Sequence, residues 1–119
     1  MTDASSLGQF EQLVLTAVLS LRDNAYGVTI HERAEALAHP KTIALGAVYV
    51  TLDRLEDKKL IQSKLSDPTP ERGGRSKRFY RLSEKGERAL KEAAATARRM
   101  FDIIETTWGE GACRPARTR

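Results

Sequence analysis

Cysteine is almost missing from this chain: Cys113 is the only one in 119 residues. One thiol excludes an internal disulfide and a cysteine-built metal centre. Histidine is nearly as scarce. His31 and His39 have no partners at ligand spacing, so both read as surface residues, and neither a metal nor a cofactor is expected. A nucleophile, a base and an orienting group cannot be assembled from these residues by any spacing argument. No catalytic residue is therefore assigned, and an enzyme is not expected. Long apolar runs are also absent, since none approaches the roughly 20 residues that a membrane-spanning helix needs. Met1-Thr2-Asp3-Ala4-Ser5-Ser6 lacks the basic and apolar regions of a secretion signal. The expectation is a cytoplasmic protein with no membrane partner.

What is present suits one soluble domain with a core: 40% of the residues are hydrophobic and 30% charged, a globular balance. The formal net charge of +4 is unevenly spread. Residues 1–63 hold six bases and eight acids, while residues 64–82 hold six bases and two acids. The last six residues supply three arginines and no acid. One middle segment and one tail therefore carry the positive potential, and both are candidates for contact with a polyanion. Read on charge alone, they could equally be a solvated loop and an untidy terminus.

The order of elements narrows the choice. From Gln9 to Leu21 the apolar residues Phe10, Leu13, Val14, Ala17, Val18 and Leu21 recur at the spacing of one helix face. Leu15 and Leu19 widen that stripe, which points to a second covered surface. Arg22-Asp23-Asn24 breaks the pattern. A second helix is expected from about Val28 to Leu37, with Ile30, Ala34 and Leu37 inward, closed by Pro40. A third runs from about Leu45 to Lys59 with Leu45, Val48, Leu52 and Leu55 inward; Gly46, Ala47, Val50 and Arg54 project from its other side, with Tyr49 on the flank. Alternation then begins at Ile61, Ser63 and Leu65 and resumes at Phe79-Tyr80-Arg81-Leu82. Between them Pro68, Pro70 and Gly73-Gly74 mark a loop, so the segment reads as a β-hairpin with a long basic tip. Such a hairpin must rest on the helices. Ser83 is a good N-cap for a long last helix, to about Thr107, with Leu90, Ala93, Ala97, Met100, Ile104 and Trp108 at intervals of three or four.

Three helices, a hairpin with a basic tip and a long helix follow the order of a winged helix-turn-helix with a dimerisation helix. The fold expected is thus mostly α with a small β-hairpin: residues 7–82 as the DNA-binding domain, 83–108 as the dimerisation helix, and 109–119 as a disordered basic tail. The third helix enters a major groove roughly 12 Å wide only if its leading face lacks bulk and acid, as Gly46, Ala47 and Val50 provide. Arg72, Arg75, Lys77 and Arg78 would meet phosphates or the minor groove from the wing, and Gly73-Gly74 would let the backbone come close.

The residues also resemble a family. Tyr26-Gly27, the stretch from Gly46-Ala47-Val48-Tyr49 to Leu55-Glu56, Leu60-Ile61, and the stretch from Gly73-Gly74-Arg75 to Lys85-Gly86 look like the signature of PadR-type transcriptional regulators, over about residues 7–107. The resemblance implies a bacterial homodimeric repressor with one C-terminal helix that binds double-stranded DNA. It implies DNA contacts at Tyr49, Arg54, Arg75 and Lys77, with Tyr26 near the phosphates. Other readings stand beside these: Tyr49 as a residue packing on the second helix, Arg54 paired with Asp57 or Glu56, Tyr80 as a core aromatic, and the whole fold as a protein-interaction module. The dimer interface is expected at Leu15, Leu19, Leu90, Ala93, Ala97, Met100, Ile104 and Trp108. Multidrug-sensing relatives stack flat ligands on an aromatic midway along the last helix. The matching position here is Ala97, so no aromatic drug pocket is implied, Trp108 reads as an interface anchor, and any small-molecule effector is of unknown identity.

Overall fold

The computed structural model describes residues 7–66 and 76–111. The chain forms α1 (Gln9–Leu21), a 3-10 turn (Arg22–Asn24), α2 (Gly27–Ala38), α3 (Leu45–Asp57), strands β1 (Ile61–Leu65) and β2 (Arg78–Leu82), and α4 (Glu84–Gly111). The expected order is observed throughout. The last helix is longer than its apolar spacing suggested, because residues 109–111, assigned above to a tail, continue it; the rest of that tail lies outside the described residues.

α1 is the central element, packed against α2, α3, β2 and α4. Four neighbours cover more than one face, so Leu15 is fully buried together with Val14, Ala17 and Val18. This corrects its assignment to the dimer interface: the widened stripe of α1 serves its own domain, and only Leu19 of the pair stays exposed. Ile30 and Ala34 from α2 join Val48, Leu52 and Leu55 from α3 in the same core. Leu37 and Leu45 are not inward as their spacing suggested, being 50% and 40% exposed. Each sits at the end of its helix next to the α2–α3 turn, where no further element closes over it.

The two strands pair antiparallel, Ile61 opposite Leu82 and Leu65 opposite Arg78. Only the root of this hairpin is buried: Ile61 and Tyr80 enter the core, while Leu65 is 55% exposed. The root gains a third partner from the α1–α2 connection. The Tyr80 N–H donates to the Ala25 carbonyl at 2.9 Å, and Tyr26 bridges to Phe79. The hairpin is thereby fixed to the helical body, as a two-stranded sheet requires.

α4 is docked at its start. Ser83 Oγ accepts the Gly86 N–H at 3.0 Å as an N-cap and donates to the Lys59 carbonyl at 2.7 Å, while the Ser83 N–H donates to the Leu60 carbonyl. A side chain on Gly86 would run into that same carbonyl. Ala89 is buried and Leu90 packs on the core. Leu90 is thus half-buried against its own domain, with part of its surface still exposed. Beyond Ala93 every residue through Gly109 is exposed, and the molecule extends 64 × 34 × 21 Å.

Candidate nucleic-acid interface

The front of α3 has little bulk and no charge. Val48, Leu52 and Leu55 turn inward, and this rotation leaves Ala44, Gly46 and Ala47 exposed beside Val50, which is 56% exposed. Among the described residues, and apart from the helix's own nearby backbone, nothing lies within 4 Å of the place a Gly46 side chain would occupy. Arg54 is exposed further along the helix. Glu56 is engaged elsewhere, accepting from Ser63 Oγ at 2.7 Å, and Arg54 makes no ion pair with Glu56 or Asp57 among the described residues.

Tyr26-Gly27 is a junction between α2, α3 and the wing. Tyr26 sits half-buried at the start of α2, where its N–H donates to Thr29 Oγ1 at 3.0 Å. Its ring meets Phe79 of β2 edge-on, with centroids 5.4 Å apart, and carries the Lys77 ammonium 3.9 Å above its centre, a cation–π contact. At the next residue the Tyr49 phenol end lies against Gly27, in the space a β-carbon there would need. This is the contact of the alternative reading, in which Tyr49 packs on the second helix, and the ring is still 42% exposed, as a DNA contact also requires. Lys77 and Tyr26 thus meet directly, and Tyr49 joins the same junction through Gly27, the next residue along the chain.

Two hydrogen bonds close the wing's base: the Ser66 N–H donates to the Lys77 carbonyl at 2.7 Å, and the Lys77 N–H to Ser66 Oγ at 3.0 Å. Arg78 is exposed and donates from Nη1 to Ser63 Oγ at 2.8 Å, which aims it along the hairpin. Arg72, Gly73, Gly74 and Arg75 lie outside the described residues. Sequence reasoning missed Phe79, whose alternation with Tyr80 was read but not its partner, and the turn-forming pair His31 and Glu35. His31, expected at the surface, is half-buried and bonded to the backbone of Ile43. No group of metal-ligating side chains occurs among the described residues, and no helix among them is long and apolar enough to cross a membrane.

Glu11 and Lys58 join α1 to the end of α3. Lys58 Nζ lies 3.1 and 2.9 Å from the two carboxylate oxygens, and the Gly8 N–H adds a third bond at 3.0 Å. Burial pushes the Glu11 carboxyl up. The Lys58 and Gly8 hydrogen bonds, with the charges of Lys58 and Arg54, outweigh it and hold the carboxyl below its ordinary value.

On the projecting part of α4, Ala97, Met100, Ile104 and Trp108 continue the line of Ala93 at helical spacing. Phe101 and Ile103 widen it, and they are 58% and 67% exposed. The run Met100-Phe101-Asp102-Ile103-Ile104 carried that signal, but strict three-and-four spacing passes over two of its members. Where this stripe leaves the body, it forms an open cleft of about 690 Å³ with Leu7, Gln9 and Gln12.

Comparison with known proteins agrees with this geometry. The chain is similar over 84% of its length to a PadR-like transcription factor from Bacteroides fragilis, with TM-score 0.67, 21% identity and 90% of that chain covered. A PadR family regulator from Eggerthella lenta is 26% identical, with TM-score 0.62 over 84% of this chain and 81% of that one. A third, from Clostridium difficile, is 22% identical with TM-score 0.61, over 83% and 97%. No curated protein matches the sequence. The model of the transcriptional regulator PadR-like family matches residues 15–92, so the chain belongs to that family of DNA-binding transcription regulators, a group of regulators rather than enzymes.

Proposed function

We propose that the protein is a homodimeric, cytoplasmic repressor that reads operator DNA with α3 and holds the flanking backbone with its wing. The observation that carries this reading is the front of α3: Gly46, Ala47 and Val50 form an exposed, uncharged surface, and Tyr49 on Gly27 beside the Tyr26–Lys77 pair links it through the start of α2 to the wing root. A rigid link of this kind delivers a base-reading helix and a phosphate-binding hairpin as one body. Tyr26, Gly46, Ala47, Tyr49, Val50, Arg54, Lys77 and Arg78 are the contacts proposed, with Arg72, Gly73, Gly74 and Arg75 from the wing tip. Residues 7–82 serve as the DNA-binding unit, and the exposed stripe of α4 pairs two copies. The test is duplex binding across a range of salt. Log affinity should fall linearly with log salt, by roughly 0.9 for each phosphate contacted, and footprinting should show a protected site upstream of the protein's own gene. Salt-independent or absent duplex binding refutes the reading and favours a protein partner for the same surface.

A further inference from the structure

α3 begins without a side-chain cap. Its N-cap residue is Ala44, in extended conformation with φ −72° and ψ 139°, which makes no side-chain cap bond to the helix. The entry into α3 is fixed one residue earlier. The Ile43 N–H donates to Glu35 Oε2 at 3.0 Å, and the Ile43 carbonyl lies 2.6 Å from His31 Nε2. A carbonyl only accepts, so Nε2 carries the proton and the histidine is the donor. His31 and Glu35 stand one turn apart on the same face of α2, with Nε2 at 3.8 Å from Glu35 Oε2.

The N–H and the carbonyl of one residue belong to two successive peptide planes. Gripping both from a single helix face fixes the direction in which the chain steps through Ala44 into α3. Both side chains are partly exposed, 22% for His31 and 36% for Glu35, and neither belongs to the fully buried apolar core. Ile43 rests its side chain on the edge of the core, which leaves its backbone as the part the polar pair controls.

We propose that His31 and Glu35 are positioning residues for DNA reading: they set the angle at which α3 meets the groove and thereby the sequence selectivity of the protein. This rests on the reading that α3 enters DNA. Base edges are recognised at hydrogen-bond distance, so a shift at the helix start misplaces those contacts. Attraction to phosphate is long-ranged and survives such a shift. Loss of the grip therefore lowers selectivity and spares general affinity.

The experiment selects a preferred duplex for the wild type from a random pool, then compares it with a scrambled duplex at fixed salt. Glu35→Ala should lower the ratio of selected to scrambled affinity by about tenfold or more, with scrambled affinity and salt slope unchanged. Glu35→Gln, whose amide oxygen still accepts the Ile43 N–H, should restore the ratio. An unchanged ratio in Glu35→Ala, or a Gln variant as defective as the Ala variant, overturns the proposal. Should Glu35→Ala fail to fold, His31→Phe removes the donor, keeps a ring, and carries the same expectation. Ala47→Glu separates the two levels. If it loses the selected duplex while Glu35→Ala keeps it, α3 still reads DNA and the positioning role falls. A wild type that selects nothing, or an Ala47→Glu protein that binds normally, removes the reading and the proposal with it.

Discussion

At the Tyr26-Gly27 step a missing side chain decides where another one goes. The Tyr49 phenol fills the volume that a β-carbon on Gly27 would need, so Gly27→Ala forces the ring or the start of α2 to move. Alanine is the better helix former by roughly 0.8–1.0 kcal/mol, so any net loss of stability reports the collision. A double-mutant cycle with Tyr49→Ala should show coupling of about 1 kcal/mol or more, with Gly27→Ala harmless once the ring is gone. Additive effects in thermal melts would contradict this packing. The Glu11–Lys58 pair makes a second claim at the same scale. Removing the lysine leaves a buried carboxylate with one partner fewer, so Lys58→Ala should cost about 2 kcal/mol. Because the folded carboxyl titrates below its ordinary value, the unfolded chain takes up a proton first as pH falls. The pair's contribution is full above the ordinary carboxylate range and is lost as pH drops through the lower folded value. Denaturant midpoints measured from neutral to acid pH should fall less steeply in Glu11→Gln than in the wild type.

The elements differ in how much of them the amino-acid pattern carries. Helical period alone placed α1, α3 and α4, and alternation placed both strands, because each of those faces is set by residues three, four or two apart. The same pattern could not tell how many neighbours an element has. Leu15 reads as surplus on a helix with one partner and is core on a helix with four. Leu37 and Leu45 keep the inward spacing but fall at helix ends where nothing covers them. Polar contacts between distant residues left no pattern at all: His31 bonds to the carbonyl of a residue twelve positions on, and the Glu11 side chain meets a lysine forty-seven positions away. The candidate interface was legible where chemistry shows as residue type, in the small front of α3 and the basic wing, and not where it depends on aim. Aim is what the next variants measure. Ala47→Glu puts bulk and negative charge on an exposed position and should abolish selected-duplex binding while leaving the melting temperature close to wild type. Arg75→Ala with Lys77→Ala should weaken binding to every duplex alike and flatten the salt slope by up to about 2. Unchanged affinity in the second variant would take the wing out of the interface.

For the whole molecule, the stripe on α4 is the largest unsolved burial problem. Met100, Phe101, Ile103, Ile104 and Trp108 are 45–70% exposed. At about 1.5–3 kcal/mol for each such side chain fully buried, covering the exposed half of five on each of two copies yields on the order of 10 kcal/mol. Association costs an estimated 4–15 kcal/mol, so the stripe holds a dimer only if most of it is covered at once. The proposed two-fold arrangement would do this by laying each α4 along the other, with the cleft beside Leu7 and Gln12 taking side chains from the partner. Operator reading by both copies would then require the two α3 helices to stand about one DNA turn apart, roughly 34–36 Å. Ser83, Leu60 and Gly86 dock α4 directly to the end of α3. Any ligand that prefers a different crossing of the two α4 helices would therefore change that separation, by no more than its own preference allows. The variant that isolates the interface is Met100→Glu with Ile104→Glu. Leu90 is less suited to this purpose, because it packs partly on its own core and a charge there would also disturb the domain. Wild type should sediment as a dimer at micromolar concentration. The double variant should sediment as a monomer, retain the thermal transition of its winged-helix body, and lose operator affinity far more than affinity for scrambled DNA. A monomeric wild type, or a dimeric double variant, would show that the stripe is covered in some other way.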